Sequence, residues 1–122
     1  MKRRSSIARP PRRRSPATSR DIQYEILLPR TFNDGTAVPA RLFLDTKDEL
    51  VQQFGGATFH EEAVTGYWLH ESVEYKDVMV RVTVASRAAP QNEAFIRQYK
   101  EVLKQRFNQK EIWIVEYRIR II

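Results

Sequence analysis

The sequence predicts an α+β domain of the ferredoxin-like type, βαββαβ, with a four-stranded antiparallel sheet and two helices on one of its faces. Three observations carry that expectation. Residues 57–84 read as one long β-hairpin whose second half alternates Val78, Val80, Val82 and Val84 with Met79, Arg81 and Thr83, a period of two. A helix-like segment flanks the hairpin on each side. Outside each helix lies a further strand-like run.

Taken in order, Asp21 to Leu28 alternates Ile22, Tyr24, Ile26 and Leu28 against Gln23, Glu25 and Leu27, the pattern of a half-buried strand, and Pro29 ends it. Asn33-Asp34-Gly35 is turn chemistry. Pro39 is placed in the first turn of a helix that runs to about Phe54. Leu42 or Phe43, then Leu50, Val51 and Phe54, share its apolar face, while Lys47, Asp48, Gln52 and Gln53 face away. Gly55-Gly56 supplies a left-handed stop. The hairpin then turns near His70 to Ser72, and the Glu61-Glu62 pair interrupts the alternation of its first strand, which predicts a β-bulge. Tyr67 and Trp68 point to opposite faces. After a connection at Ala88 to Gln91, Asn92 is the expected N-cap of a second helix, whose apolar face carries Phe95, Tyr99, Val102, Leu103 and Phe107. Asn108 stops it. In the final strand, within Ile112 to Ile122, Trp113, Val115, Tyr117, Ile119 and Ile121 form one strongly apolar face against Ile114, Glu116, Arg118 and Arg120. The topology makes the first and third strands central. Tyr24, Ile26, Val80 and Val82 are therefore expected under the helices, and Gln23, Glu25, Met79, Arg81 and Thr83 on the opposite face.

With 122 residues, the chain is expected to hold one domain, residues 21–122, behind a basic arm, residues 1–20. The arm contains Lys2, Arg3, Arg4, Arg9, Arg12, Arg13, Arg14 and Arg20 with no acid, a charge of +8. The remainder carries 13 Lys+Arg against 15 Asp+Glu, or −2, so the total of +6 describes the arm and not the domain. Its Arg/Pro/Ser composition, with Ile7 as its one large aliphatic, predicts disorder and leaves two readings open, an electrostatic arm for phosphate backbones or a merely solvated tail. Pro10, Pro11 and Pro16 break any presequence-like amphipathic helix. The absence of cysteine removes thiol nucleophiles, disulfides and Cys-based zinc sites. No apolar run reaches the roughly 18 residues of a membrane span and no secretory signal core is visible, so a cytoplasmic protein without a membrane partner is expected.

Chemistry-bearing patterns are sparse. His60 and His70 are the two histidines, at opposite ends of one strand, about 30 Å apart at roughly 3.3 Å per residue. No third ligand stands at a diagnostic spacing, and no metal site is assigned. Glu25, Asp77 and Glu116 are the carboxylates that parity would gather on the open sheet face, where Arg81, Arg118 and Arg120 are placed to form cross-strand ion pairs with them. A nuclease resembling the small ferredoxin-like CRISPR integration proteins would want an Asp at the end of the first strand; Leu28-Pro29-Arg30 stands there. Gly55-Gly56 lacks the context of a phosphate-cradling loop, so no cofactor is expected. RNA-reading sheets of this topology stack bases on aromatics of the central strands. Gln23, Glu25, Met79 and Arg81 offer no such platform.

Phe54-Gly55-Gly56-Ala57-Thr58, Gly66-Tyr67-Trp68, Tyr99-Lys100 and Arg106-Phe107-Asn108-Gln109 resemble, in the same order, the R-F-x-x-G-x-T, G-x-W and Y-K-x-R-F-x-Q elements of a small bacterial domain-of-unknown-function family. The resemblance spans roughly residues 24–120, with Gln53 where the family has Arg and no counterpart to the basic arm. It implies a compact α+β domain and no assigned activity. Two function classes follow. One is a small non-catalytic binding or regulatory domain that forms a weak homodimer through an exposed edge strand, Ala57 to Leu69. The other is a nucleic-acid-associated accessory protein that binds phosphate backbone through the arm alone.

Overall fold

The computed structural model describes residues 20–122. The elements are β1 (Asp21–Pro29), α1 (Ala40–Phe54), β2 (Thr58–His70), β3 (Val73–Arg87), α2 (Pro90–Arg106) and β4 (Trp113–Ile119). The strands form one sheet in the order β2-β3-β1-β4, antiparallel throughout. This is the ferredoxin-like arrangement, with β1 and β3 central as expected. The arm residues Lys2, Arg3, Arg4, Arg9, Arg12, Arg13 and Arg14 lie outside the described residues. Arg20 is exposed, and its carbonyl accepts a hydrogen bond from Ala88 N at 2.7 Å.

The core sits between the helices and one sheet face. Ile22, Tyr24, Ile26 and Leu28 of β1 and Val80, Val82 and Val84 of β3 are buried beneath Leu50 of α1 and Ile96, Tyr99, Leu103 and Phe107 of α2. A stacked or edge-on series of rings, Tyr24, Phe54, Phe95 and Tyr99, with centroids 5.1–6.1 Å apart, closes one end. Gly55 (φ 85°) ends α1 in the left-handed conformation, and its N–H donates to the Val51 carbonyl at 2.8 Å. Asn108 (φ 53°) follows α2 in the same conformation. Both stops are where the sequence puts them.

Several expectations about faces and caps are corrected. Val51 is 40% exposed and Val102 44% exposed. At 100° per residue, Val51 lies about 140° round α1 from the buried Thr46. On α2 the buried line runs Ile96, Tyr99, Leu103, Phe107, which leaves Val102 on the flank. Pro39 is the N-cap of α1 and not part of its first turn. Pro90 opens α2 behind the N-cap Ala89, so Asn92 already lies inside the helix and its Nδ2 donates back to the Arg87 carbonyl at 2.8 Å.

The largest correction concerns β4. Pairing of Tyr24 with Glu116 and Ile26 with Ile114 puts Ile114 and Glu116 on the helix side. Trp113, Val115, Tyr117 and Ile119 therefore face away from the helices. The start of β4 is apolar on both sides, so alternation alone does not fix its parity. Ile112, buried in the core, and Ile114, packed against it opposite Ile26, settle it.

The β2–β3 hairpin is longer than the sheet. β3 pairs with β1 only from Met79 onward, with one further backbone hydrogen bond from Arg30 N to the Val78 carbonyl at 3.0 Å, and Val73 to Asp77 pair with β2 alone. Glu71 (φ 50°) and Ser72 (φ 67°) form its two-residue turn, both left-handed, as a turn that follows the strand twist requires. The expected bulge is present. Glu61, Glu62 and Ala63 stand opposite the single residue Val80, and Arg30 Nη2 donates to the freed Glu61 carbonyl at 2.7 Å.

Candidate functional site

The sheet face turned away from the helices is the candidate functional surface. Strand alternation gives it Gln23, Glu25 and Leu27 from β1, Met79, Arg81 and Thr83 from β3, His60 and Val64 from β2, and Trp113, Val115 and Tyr117 from β4. Register aligns His60, Arg81, Leu27 and Trp113 in one row across the four strands. The central strands match the expected polar set. The edge strand brings aromatic surface that sequence reasoning had assigned to an inward face, with Trp113 60% and Tyr117 44% exposed.

The projecting part of the hairpin continues this surface. Trp68 and Tyr75 are paired across the strands and stack with centroids 4.6 Å apart, while Trp68 Nε1 donates to Asp77 Oδ2 at 2.8 Å. Neither Tyr67 nor Trp68 is inside. A two-stranded ribbon has no layer to cover it, and Tyr67, Leu69 and Val73 are exposed as well.

The carboxylates do not converge. Glu25 is on the open face, Asp77 is engaged with Trp68 on the ribbon, and Glu116 is on the helix side. The arginines expected to pair with them do not all share one face either. Arg118 lies opposite Ile22 on the helix side, and among the described residues Arg81 makes no ion pair and its Nε is buried without a hydrogen-bond partner. The histidines are separated by the bulge. His60 contacts Thr83 Oγ1 at 3.3 Å, and His70, at the turn, meets Glu71 at 3.2 Å.

A shallow cleft of about 400 Å³ opens at the far end of the sheet, lined by Asp21, Gln53, Phe54, Ser86, Arg87 and Asn92 among others. Its polar groups hold the fold's own backbone. Asp21 Oδ2 accepts from Ile121 N at 3.3 Å, and Asn92 is bonded to the Arg87 carbonyl.

The residues that carry the family resemblance serve the helix pair and the hairpin. Tyr99 OH donates to Glu49 Oε1 at 2.7 Å, and Arg106 grips the same carboxylate with two nitrogens at 2.9 and 2.8 Å while donating to Thr46 Oγ1 at 2.9 Å. The Arg106 hydrogen bonds hold the Glu49 carboxyl below the usual carboxylate range. Burial first, and then the bond to Glu49, push the Tyr99 phenol up. Lys100 pairs with Glu111 at 3.2 Å. Phe107 is fully buried with its ring 5.4 Å from Phe43, and Gln109 Nε2 donates to Asn33 Oδ1 at 3.2 Å. Gly66 lies where a Cβ would meet Met79 Cε at 3.0 Å. Glu49, the centre of the clamp, carries no signal in the sequence, because its partners lie 50 and 57 residues away.

The fold class is that of small ferredoxin-like α+β domains. No family model matches the chain, and no curated protein does. Among solved structures it is similar to a phage SAM lyase in complex with S-methyl-5'-thioadenosine, with a TM-score of 0.61 at 10% identity over 83% of each chain. It is also similar to the divalent ion tolerance protein CutA1 from Ehrlichia chaffeensis, with a TM-score of 0.52 at 8% identity over 84% of this chain and 83% of that one. At such identities the likeness is one of fold. No helix among the described residues is long and apolar enough to cross a membrane.

Proposed function

We propose that this chain is a small non-catalytic binding or regulatory domain that works as an assembly of its own copies. The observation that carries this reading is the apolar and aromatic open face of the sheet, prolonged by the bare ribbon. Trp68, Tyr75, Trp113 and Tyr117 are each roughly half exposed. Together they offer on the order of 400 Å² of ring surface, half of the about 800 Å² per partner of a standard interface before any aliphatic side chain is added. The rings stand at two ends of this surface, Trp113 and Tyr117 on β4 and Trp68 and Tyr75 on the ribbon, on either side of the polar centre. The charge of residues 21–122, −2, lets copies approach without strong repulsion.

The surface differs from the edge strand expected from sequence. β2 is an edge and adds Val64 and Trp68, but the larger apolar contribution comes from β4 at the opposite edge. Sedimentation velocity on the full chain from low to high micromolar concentration tests the reading. A concentration-dependent mass above that of one 14.4 kDa chain is expected. A monomer throughout overturns it.

A second reading, nucleic-acid association through the arm, is supported by the +8 charge of residues 1–20 against −2 elsewhere. Binding of a labelled duplex should then fall steeply with salt, with a log–log slope of about −0.9 per phosphate neutralised. It should also vanish from a chain starting at Asp21. Unchanged binding by the shortened chain would place recognition on the domain instead.

A further inference from the structure

Four residues occupy the centre of the open face. Glu25 is paired with Thr83 and Leu27 with Arg81, so Glu25 and Arg81 stand on one diagonal of the quartet and Leu27 and Thr83 on the other. Such diagonal neighbours on antiparallel strands are about 7–8 Å apart.

Neither charge is matched among the described residues. No ion pair or side-chain hydrogen bond joins Glu25 or Arg81 to any described residue. On its other side Arg81 faces His60, which is turned to Thr83 at 3.3 Å and supplies no carboxylate. A covered Arg81 Nε without an acceptor is a desolvated donor. A carboxylate arriving from outside meets the terminal guanidinium nitrogens, which are not covered, and a charge-assisted pair there offsets the cost of the unmet Nε.

The diagonal arrangement is self-complementary. A twofold axis lying between two stacked open faces, near the Leu27–Thr83 diagonal, exchanges the positions of Glu25 and Arg81. We infer that two copies of this chain pack open face to open face about such an axis, so that Arg81 of each copy meets Glu25 of the other. Leu27 then meets its own symmetry mate between the two ion pairs. Sheets packed face to face are about 10 Å apart, room for one interdigitated layer of these side chains. A closed, isologous dimer forms, because each surface residue finds its complement on the same patch of the second copy.

This inference rests on the self-association proposed above and names its contacts. The test uses Arg81→Glu, Glu25→Arg and the double exchange Arg81→Glu/Glu25→Arg in the full chain. Thermal melts accompany each, to show that all remain folded. Each single variant places like charges against each other and should weaken association about tenfold or more. The double exchange should restore it. A mixture of the two single variants should associate where each alone does not, since one face is then acidic and the other basic. A wild-type chain that is monomeric at all concentrations overturns both proposals. A wild-type chain that associates while the folded single variants associate equally well overturns this one alone.

Discussion

Each side of the sheet brings an arginine close to a glutamate, and the two sides treat the pair differently. Between the helices, Arg106 and Glu49 are joined by two hydrogen bonds of 2.8–2.9 Å, with Tyr99 and Thr46 completing the set. On the open face Arg81 and Glu25 are adjacent on the diagonal and unjoined. Around the first pair the hydrophobic surface is closed, with Leu50, Leu103 and Phe107 fully buried. Around the second it is open. The contrast separates groups that hold the fold from groups that the fold leaves unjoined, and the resemblance-bearing residues Tyr99, Arg106 and Phe107 belong to the first class.

A polar substitution on each side of the sheet in turn should have the most unequal effects. Val80→Asp puts an unpaired carboxylate into the helix-side core and should destabilise by about 3–5 kcal/mol, enough to abolish cooperative melting in a marginal domain. Tyr117→Ser on the open face should leave the melt of the dilute chain within about 0.5 kcal/mol. Equal effects from the two would mean the faces are assigned wrongly.

Arg106→Met asks how much the joined pair contributes. Charge-assisted hydrogen bonds are worth about 1.5–3 kcal/mol, but Glu49 is 44% exposed and water screens part of this. A loss of about 1–2 kcal/mol in urea unfolding is expected. No change would make the clamp incidental.

The ribbon offers a smaller test in the stabilising direction. Glu71 and Ser72 both adopt positive φ, which non-glycine residues resist. Glu71→Asn with Ser72→Gly should add about 0.5–1 kcal/mol, read as a higher melting temperature. A lower one would mean that the His70–Glu71 contact outweighs the relief.

The smallest effect is in pH. The Glu49 carboxyl is lowered in the folded chain, so its contribution is present above the ordinary carboxylate range and lost as pH falls through the lowered value. The Tyr99 phenol is raised, so its contribution is present at neutral pH and lost as pH climbs past the ordinary phenol range, where the unfolded chain ionises first. Glu49→Gln should flatten the acid limb of a stability profile and Tyr99→Phe the alkaline limb. Slopes identical to wild type in both would remove the clamp from the titration.

Local rules were enough for most of the fold. Alternation in β1 and β3, the glycine at Gly55, Asn108 and the acidic interruption at Glu61-Glu62 each act through near neighbours in sequence, and each was legible. Three matters were decided only by tertiary structure. The parity of β4 depends on which of two apolar sets joins the core, and Ile112 and Ile114 do, so Trp113 and Tyr117 became surface. The helix clamp depends on Glu49 meeting side chains 50 and 57 residues further along the chain. Register between β1 and β3 put Arg81 beside Glu25 without joining them, and side-chain periodicity cannot express that, because it fixes the face of a residue and not its neighbours across the sheet.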